Sequence, residues 1–412
     1  MHDYKSIDEK ILDQKNILAV EELTNHFLDV WTECPASFPQ YHLTYTNKQK
    51  RRNESELKKF MDVIKMEVEN EKNSTDDFAG FGEKYSEPIK DFLYRGFCFS
   101  EEQVEFLFTK DFLKVTAGFI KSVRAFDSKI SFEEIFQACR NVWTMNWIQM
   151  LFGQNVEMTP SIFAYSMLYP YTDNFIDAPD IPLEIKIDFT DRLMRRLRGQ
   201  LVRPENNTEN TIYKLLEMIE SQFPRHIYPD IYGSLAAIHA AQMKSLFLID
   251  KSISMSEERL LKISIEKGGT SVLADGYLIA GDLTESQKLF LFGYGAYLQL
   301  VDDLQDVNDD YYVGLTTNFT QTATKNHLDA VCNQTYHFGN IVLSCCNSFD
   351  MEQMNSVIEL MKHTNELLIT EAAGLVSGLY SRKYIRQIQN YSPFRFSFLR
   401  KERKNFLQSL LS

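Results

Sequence analysis

The stretch that decides the fold is Phe292–Asp310, which reads FGYGAYLQLVDDLQDVNDD. Its first half is apolar on nearly every side, which is typical of a helix buried in a protein interior rather than one on its surface. Asp302 and Asp306 stand one helical turn apart, with Asp303 beside the first and Gln299 three residues before it. The spacing predicts a helix face that changes from small residues to an amide and then to carboxylates.

The same stretch contains five aspartates within nine positions, from Asp302 to Asp310. Like charges one turn apart destabilise a helix by roughly 0.2–0.5 kcal/mol per pair. A bound divalent cation would remove this repulsion, and ligands that are all oxygen suit Mg²⁺. The alternative is a solvated acidic helix end, and the apolar sequence just upstream argues against it.

A second acidic cluster occurs earlier, in Tyr169–Asp180, which reads YPYTDNFIDAPD. Asp173 and Asp177 are again four residues apart. Alone, this pattern also fits a capping arrangement at a helix end. Two such pairs, far apart in the chain and each preceded by aromatic-rich helical sequence, indicate a shared role.

The rest of the chain predicts an all-α protein. The 412 residues include 17 glycines and 11 prolines, which is 17/412 ≈ 4.1% and 11/412 ≈ 2.7%. Both are below the usual ~7% glycine and ~5% proline. All-β folds, collagen-like repeats and Pro/Gly-rich disorder need more of these residues and are excluded. Helix-start signals recur instead, with Ser or Thr followed three residues later by Glu or Gln, or directly by Pro. They are Ser100–Gln103, Ser131–Glu134, Thr284–Gln287 and Thr159-Pro160.

Charge and cysteine content exclude further classes. Lys and Arg number 44 against 57 Asp and Glu, a net charge of −13, which argues against a nucleic-acid binder. Six cysteines form no CxxC pair, as expected of reduced thiols. No apolar signal sequence or bilayer-spanning stretch is found, so we expect a cytoplasmic protein.

Four segments together resemble the class I isoprenoid synthase superfamily. FGYGAYLQLVDDLQD is similar to the second aspartate-rich motif of prenyltransferases, including Gln299, and YTDNFID resembles a first motif in DxxxD form. EKGGTSVLADGYL, Glu266–Leu278, stands where prenyltransferases have a Lys-Thr segment. With IHAAQMKSL, Ile238–Leu246, the chain looks most like the large, prenyltransferase-like terpene synthases over roughly residues 135–390.

The resemblance implies a class I terpene synthase-like helical bundle around a central apolar cavity, with the two acidic motifs facing each other. It implies Mg²⁺ as the cofactor and a prenyl diphosphate as the substrate. The implied metal ligands are Asp173 and Asp177 on one wall and Asp302, Asp303 and Asp306 on the other.

The resemblance also implies cationic and amide groups that bind the diphosphate. Lys267 is one, and the two glycines after it permit a kink or the close approach of a ligand. Arg195 or Arg196 would reach a phosphate with two parallel hydrogen bonds, and Gln299 completes the set. The alternative for the arginines is a solvated helix face.

Departures from the prenyltransferase pattern favour one reaction. A GGKxxRP-type segment is not found, Ala178–Pro182 stands where an Arg-Arg pair is usual, and Lys267 is followed by Gly-Gly-Thr. We therefore expect a terpene synthase (cyclase) that ionises farnesyl, geranylgeranyl or geranylfarnesyl diphosphate and releases a terpene and diphosphate. The alternative is a prenyltransferase of the squalene/phytoene or chain-elongating type, which condenses two prenyl diphosphates.

For domain organisation, we expect residues 1–90 to form peripheral helices and residues 91–412 to form the catalytic α-domain. The C-terminal stretch Phe394–Lys404, FRFSFLRKERK, mixes aromatic and basic residues. It predicts either a helix in peripheral contact with an anionic membrane or a tail packed on the protein. A homodimer is left open.

Overall fold

The computed structural model describes residues 14–71, 81–108, 112–178, 181–249, 255–349 and 354–410. Over these ranges it contains eighteen α-helices and no β-strand, which confirms the all-α prediction. In chain order the helices are α1 Gln14–Glu33, α2 Asn47–Glu71, α3 Phe81–Arg95, α4 Glu101–Phe108, α5 Phe112–Phe126, α6 Phe132–Leu151, α7 Pro160–Asp177, α8 Leu183–Leu197, α9 Asn207–Gln222, α10 Pro229–Ser245, α11 Glu257–Ala280, α12 Glu285–Gln305, α13 Val307–Val313, α14 Asn318–Lys325, α15 Asp329–Ser344, α16 Met354–Leu375, α17 Arg382–Ile388 and α18 Phe396–Leu410.

The predicted helix starts are confirmed by their hydrogen bonds. Ser131 and Glu134 form a reciprocal capping box at the start of α6. Thr159 caps α7, with Pro160 at the first helical position. The same reciprocal bonds join Ser100 to Gln103 and Thr284 to Gln287.

The chain divides into two compact units. The first consists of Met1–Asp29 and Gly118–Gln299, and the second of Val30–Ala117 and Leu300–Ser412. The expectation that residues 1–90 are peripheral to a catalytic domain stays a prediction.

In the first unit, α10 packs along α11, and α7 packs against both α6 and α9. The close crossing of α11 and α12 is built on glycine. A Cβ on Gly268 would collide with the backbone oxygen of Gly295, and a Cβ on Gly295 would collide with that of Gly268. Because α11 continues through Gly268 and Gly269, these residues serve a helix crossing and do not interrupt the helix.

In the second unit, the C-terminal segment packs on the protein. The side chains of Phe394, Phe396 and Phe398 are buried. Arg395 Nε donates to Glu54 Oε1 of α2 at 2.8 Å. The aromatic side chains of this segment are therefore turned inward, and membrane contact stays a prediction. Among the helices that the structure describes, none is long and apolar enough to cross a bilayer.

Candidate active site

The second acidic cluster lies in the second unit, where α12 ends and α13 begins. α12 ends at Gln305, and Asp306 has φ −99° and ψ 12° before α13 starts at Val307. The helix face that the sequence predicts is therefore interrupted at Asp306. Asp303 is buried, whereas Asp302 and Asp306 are half-buried.

Arg403 of α18 is a counter-ion of this cluster. Its Nη2 lies 3.0 Å from Asp306 Oδ1 and 2.8 Å from Asp309 Oδ2. The pKa of Asp306 is raised, mainly by burial and to a smaller extent by the charge of Asp302. Arg403 offsets part of that rise. The carboxylates of Asp302 and Asp306 thus repel each other in a partly desolvated position.

The first acidic cluster lies in the first unit, at the end of α7. Asp173 is half-buried, and its Oδ1 accepts a hydrogen bond from Gln242 Nε2 of α10. The neighbouring Thr172 Oγ1 lies 3.1 Å from the same oxygen. Asp177 is the last residue of α7, and its side chain, a predicted metal ligand, lies outside the described part of the chain.

A buried ion pair joins α10 to α11 close in sequence to these groups. Lys244 Nζ lies 2.7 Å from Glu266 Oε1, and the two side chains are only 8% and 12% exposed. Lys267, the predicted diphosphate ligand, directly follows Glu266 and is half-buried. Sequence reasoning missed this pair and the role of Gln242. The available signal was that Gln242 and Lys244 follow a run of mainly apolar residues near the end of α10.

A small apolar cavity lies among α7, α8, α9 and α10, with a volume of about 40 Å³. Gln242 connects the cavity to the first acidic cluster, because it lines the cavity and donates to Asp173. His239 also lines it, and its Nε2 donates to the Thr190 carbonyl at 3.1 Å. Burial lowers the pKa of His239 to about 4, so the imidazole is neutral.

Two tyrosines on the cavity wall are anchored to α11. The Tyr169 hydroxyl bonds to Ser271 Oγ, and the Tyr165 hydroxyl donates to the Ser271 carbonyl at 3.4 Å. One turn further along α11 is Asp275, which is fully buried. Neither of its carboxylate oxygens has a hydrogen-bond partner among the described residues. Burial raises the pKa of Asp275 well above its usual value, which the nearby Asn141 amide offsets only in part.

The structure gives the predicted arginine ligands other partners. Arg196 binds Glu220 with both terminal nitrogens, at 2.5 Å and 2.8 Å. Arg195 is exposed, and its Nε donates to Gln200 Oε1 at 3.1 Å. Arg196 lines a cleft that shares no lining residue with the apolar cavity. Their roles as diphosphate ligands stay predictions.

Gln299 lies at the crossing of α11 and α12. A Cβ on Gly268 would collide with the Cβ of Gln299. The glycine crossing therefore brings Gln299 against the segment that carries Lys267, so two of the predicted diphosphate ligands belong to adjoining parts of the first unit.

Whether these residues suit Mg²⁺ depends on the kind of site. Within the described ranges, no group of three or more His, Cys, Asp and Glu side chains is placed to hold a metal ion. Mg²⁺ in phosphate-handling sites takes only one or two carboxylates and completes its octahedron with phosphate oxygens and water. Asp302 and Asp306 fit that kind of site, because a cation would relieve the repulsion that helps to raise the pKa of Asp306.

Comparisons with known proteins give one likeness. No protein-family model and no curated protein matches the chain. A search of solved structures finds similarity to a decaprenyl diphosphate synthase from Rhodobacter capsulatus, covering 79% of this chain and 98% of that chain, with 13% sequence identity and a TM-score of 0.31. A similarity at this level does not establish a shared activity.

Proposed function

We propose that the chain is a Mg²⁺-dependent terpene synthase, which ionises a linear prenyl diphosphate and releases a terpene and diphosphate. The observation that carries the proposal is the Asp302–Asp306 pair at the end of a buried helix. Desolvation and mutual repulsion raise the pKa of Asp306, and such a pair is stabilised by a divalent cation that is shared with an anionic substrate.

The metal ligands in this proposal belong to both acidic clusters. Asp302, Asp303 and Asp306 of the second cluster and Asp173 and Asp177 of the first would hold Mg²⁺. When bound, Mg²⁺ neutralises the diphosphate as the C–O bond breaks, which is Lewis-acid and electrostatic catalysis. Gln242 holds the Asp173 carboxylate in position by donating to it.

Direct contacts to the diphosphate would come from Lys267 and Gln299, which can donate hydrogen bonds to its oxygens. Arg195 and Arg196 are proposed in the same role from their sequence. Arg196 would first have to leave Glu220, to which it is bidentate. Lys267 is therefore the first of these cations to test.

The apolar cavity beside Gln242 would receive the prenyl chain and exclude water from the carbocation. Its volume of about 40 Å³ is far below the ~300–1000 Å³ of ordinary ligand pockets. The leucines that line it must therefore move apart when a prenyl chain enters. Tyr165 and Tyr169 line the same cavity and would supply π-systems, and a cation–π contact contributes ~0.5–2 kcal/mol.

The test is product analysis with purified protein and farnesyl, geranylgeranyl or geranylfarnesyl diphosphate, with Mg²⁺ or with EDTA. We expect a hydrocarbon or alcohol product and free diphosphate, with Mg²⁺ only. Asp302→Asn should abolish product formation, whereas the matched control Asp188→Asn, at an exposed position of α8, should leave it unchanged.

Two results would contradict the proposal. Failure to release diphosphate from any of the three substrates with Mg²⁺ would exclude ionisation of these substrates. A product that forms only by joining two substrate molecules, or only after addition of isopentenyl diphosphate, would identify a prenyltransferase of the squalene/phytoene or chain-elongating type instead.

A further inference from the structure

A cleft of about 610 Å³ lies on the first unit, between the end of α8 and α9. It shares no lining residue with the apolar cavity. Its volume is within the ~300–1000 Å³ range of small-molecule sites. None of its lining residues belongs to the acidic clusters, and Arg196 is the one lining residue that the proposed terpene chemistry also uses.

The cleft has a surplus of positive charge in a strongly acidic protein. Arg225 Nε donates to Glu220 Oε1 at 2.7 Å, and Arg196 Nη2 donates to Glu220 Oε2 at 2.8 Å. One carboxylate thus serves two guanidinium groups. Lys214 lines the same cleft and is exposed, and Glu217 is the other acidic residue on the described lining.

Two residues bring further hydrogen-bond donors to the cleft. Tyr213 lines the cleft and is 6% exposed, and its hydroxyl has no partner among the described residues. Gln200 accepts from Arg195 Nε through Oε1, which leaves its NH₂ group as the end that can serve a ligand. A buried polar group without a partner is costly. An acceptor-rich anion is the ligand that would satisfy these donors.

We propose that this cleft binds a phosphate-type oxyanion directly, without a metal ion, as a second anion site apart from the acidic clusters. Lys214 and Tyr213 would contact the anion, and the positive charge of Arg196 and Arg225 would attract it. Leu201, which is fully exposed, and Pro204 line the same cleft and would contact an apolar ester group. The proposal does not depend on the proposed function, because it needs neither Mg²⁺ nor turnover.

The experiment is calorimetric titration of the full chain with inorganic diphosphate, and separately with farnesyl diphosphate, in EDTA at low ionic strength. We expect binding that survives EDTA. Tyr213→Phe should weaken it about ten-fold, as expected for loss of one hydrogen bond to a charged group. The melting temperature should not fall, because the phenol loses no partner. Lys214→Gln should weaken binding several-fold and more so at low salt.

Arg198→Gln is the matched control, since Arg198 is exposed in the same segment and does not line the cleft. It should bind as the wild type does, and so should Asp302→Asn. Tighter binding of farnesyl diphosphate than of inorganic diphosphate would identify an organic ester as the ligand, and equal binding a free anion. Absence of binding in EDTA, or wild-type affinity in both Tyr213→Phe and Lys214→Gln, would overturn the proposal.

Discussion

In the two acidic clusters, carboxylates accept hydrogen bonds from different kinds of donor. In the first, Asp173 accepts a hydrogen bond from the neutral amide of Gln242. In the second, Asp306 is paired with the guanidinium of Arg403 and faces the charge of Asp302. A neutral donor orients a carboxylate without cancelling its charge, whereas a guanidinium cancels part of it. The clusters should therefore respond differently when their partners are removed.

The largest expected effect concerns the ion pairs near the two clusters. Lys244 and Glu266 are nearly inaccessible, whereas Arg403 and Asp306 are 33% and 39% exposed. Lys244→Met removes one partner of a buried ion pair, so the free energy of unfolding should fall by about 3–5 kcal/mol. Urea unfolding measures it. The double variant Lys244→Met/Glu266→Leu should recover most of the loss, and a single variant as stable as the wild type would contradict the burial.

The next effect tests the neutral donor of the first cluster. Gln242→Leu removes the amide that holds Asp173, and loss of such a supporting bond typically costs ~10–100-fold in metal affinity or activity. The Mg²⁺ dependence of product formation measures it. Gln154→Leu, at an exposed position, should change nothing. If Gln242→Leu needs no more Mg²⁺ than the wild type, Gln242 does not position a metal ligand.

A pH-dependent effect is expected at Asp275, a carboxyl that is fully buried. Its pKa is raised by burial, so the folded protein keeps a proton that the unfolded chain loses above its usual pKa of about 4. The free energy of unfolding therefore falls as pH rises, by up to about 1.4 kcal/mol per pH unit. Asp275→Asn removes this slope, so its gain in melting temperature should grow from about pH 5 to about pH 8. A gain independent of pH would show that the carboxyl is already ionised.

The smallest effect is expected at Arg403. Arg403→Gln removes a group that lowers the pKa of Asp306, so this carboxyl should stay protonated to higher pH. Because Mg²⁺ binds the ionised form, the midpoint of Mg²⁺ binding against pH should move upward. The pair is half-exposed, so the free energy of unfolding should change by less than about 1 kcal/mol. Arg400→Gln, on the same helix, is the control and should leave the pH midpoint of Mg²⁺ binding unchanged. An unchanged midpoint in Arg403→Gln would show that Asp306 does not bind the metal.

Local features of the molecule could be predicted from the sequence. The helix starts at Ser131 and Thr159 are confirmed because capping depends on residues three positions apart. The scarcity of glycine and proline predicted the all-α class, because the other fold classes need more of these residues. The interruption of the acidic helix at Asp306 was missed, because periodicity alone does not show where a helix stops.

Long-range partners could not be predicted. Gln242 is 69 residues from Asp173, and Arg403 is 97 residues from Asp306. Such pairs depend on how whole helices pack, which one sequence without relatives does not reveal. The burial of Asp275 was missed because a single aspartate in a helix is expected to be exposed, and only the packing of the neighbouring helices buries it. Whether the two clusters share one metal site stays a prediction.

The contact between Gly268 and Gly295 has a mechanical consequence. Because each backbone occupies the space that a methyl group would need on the other, α11 and α12 can approach this closely only with glycine at both positions. Lys267 directly precedes Gly268, and Gln299 lies one turn after Gly295, so this contact sets the spacing between the segments that carry them. An alanine at Gly295 would force the two helices apart and increase the distance between these segments, although no residue proposed to bind the diphosphate is itself replaced.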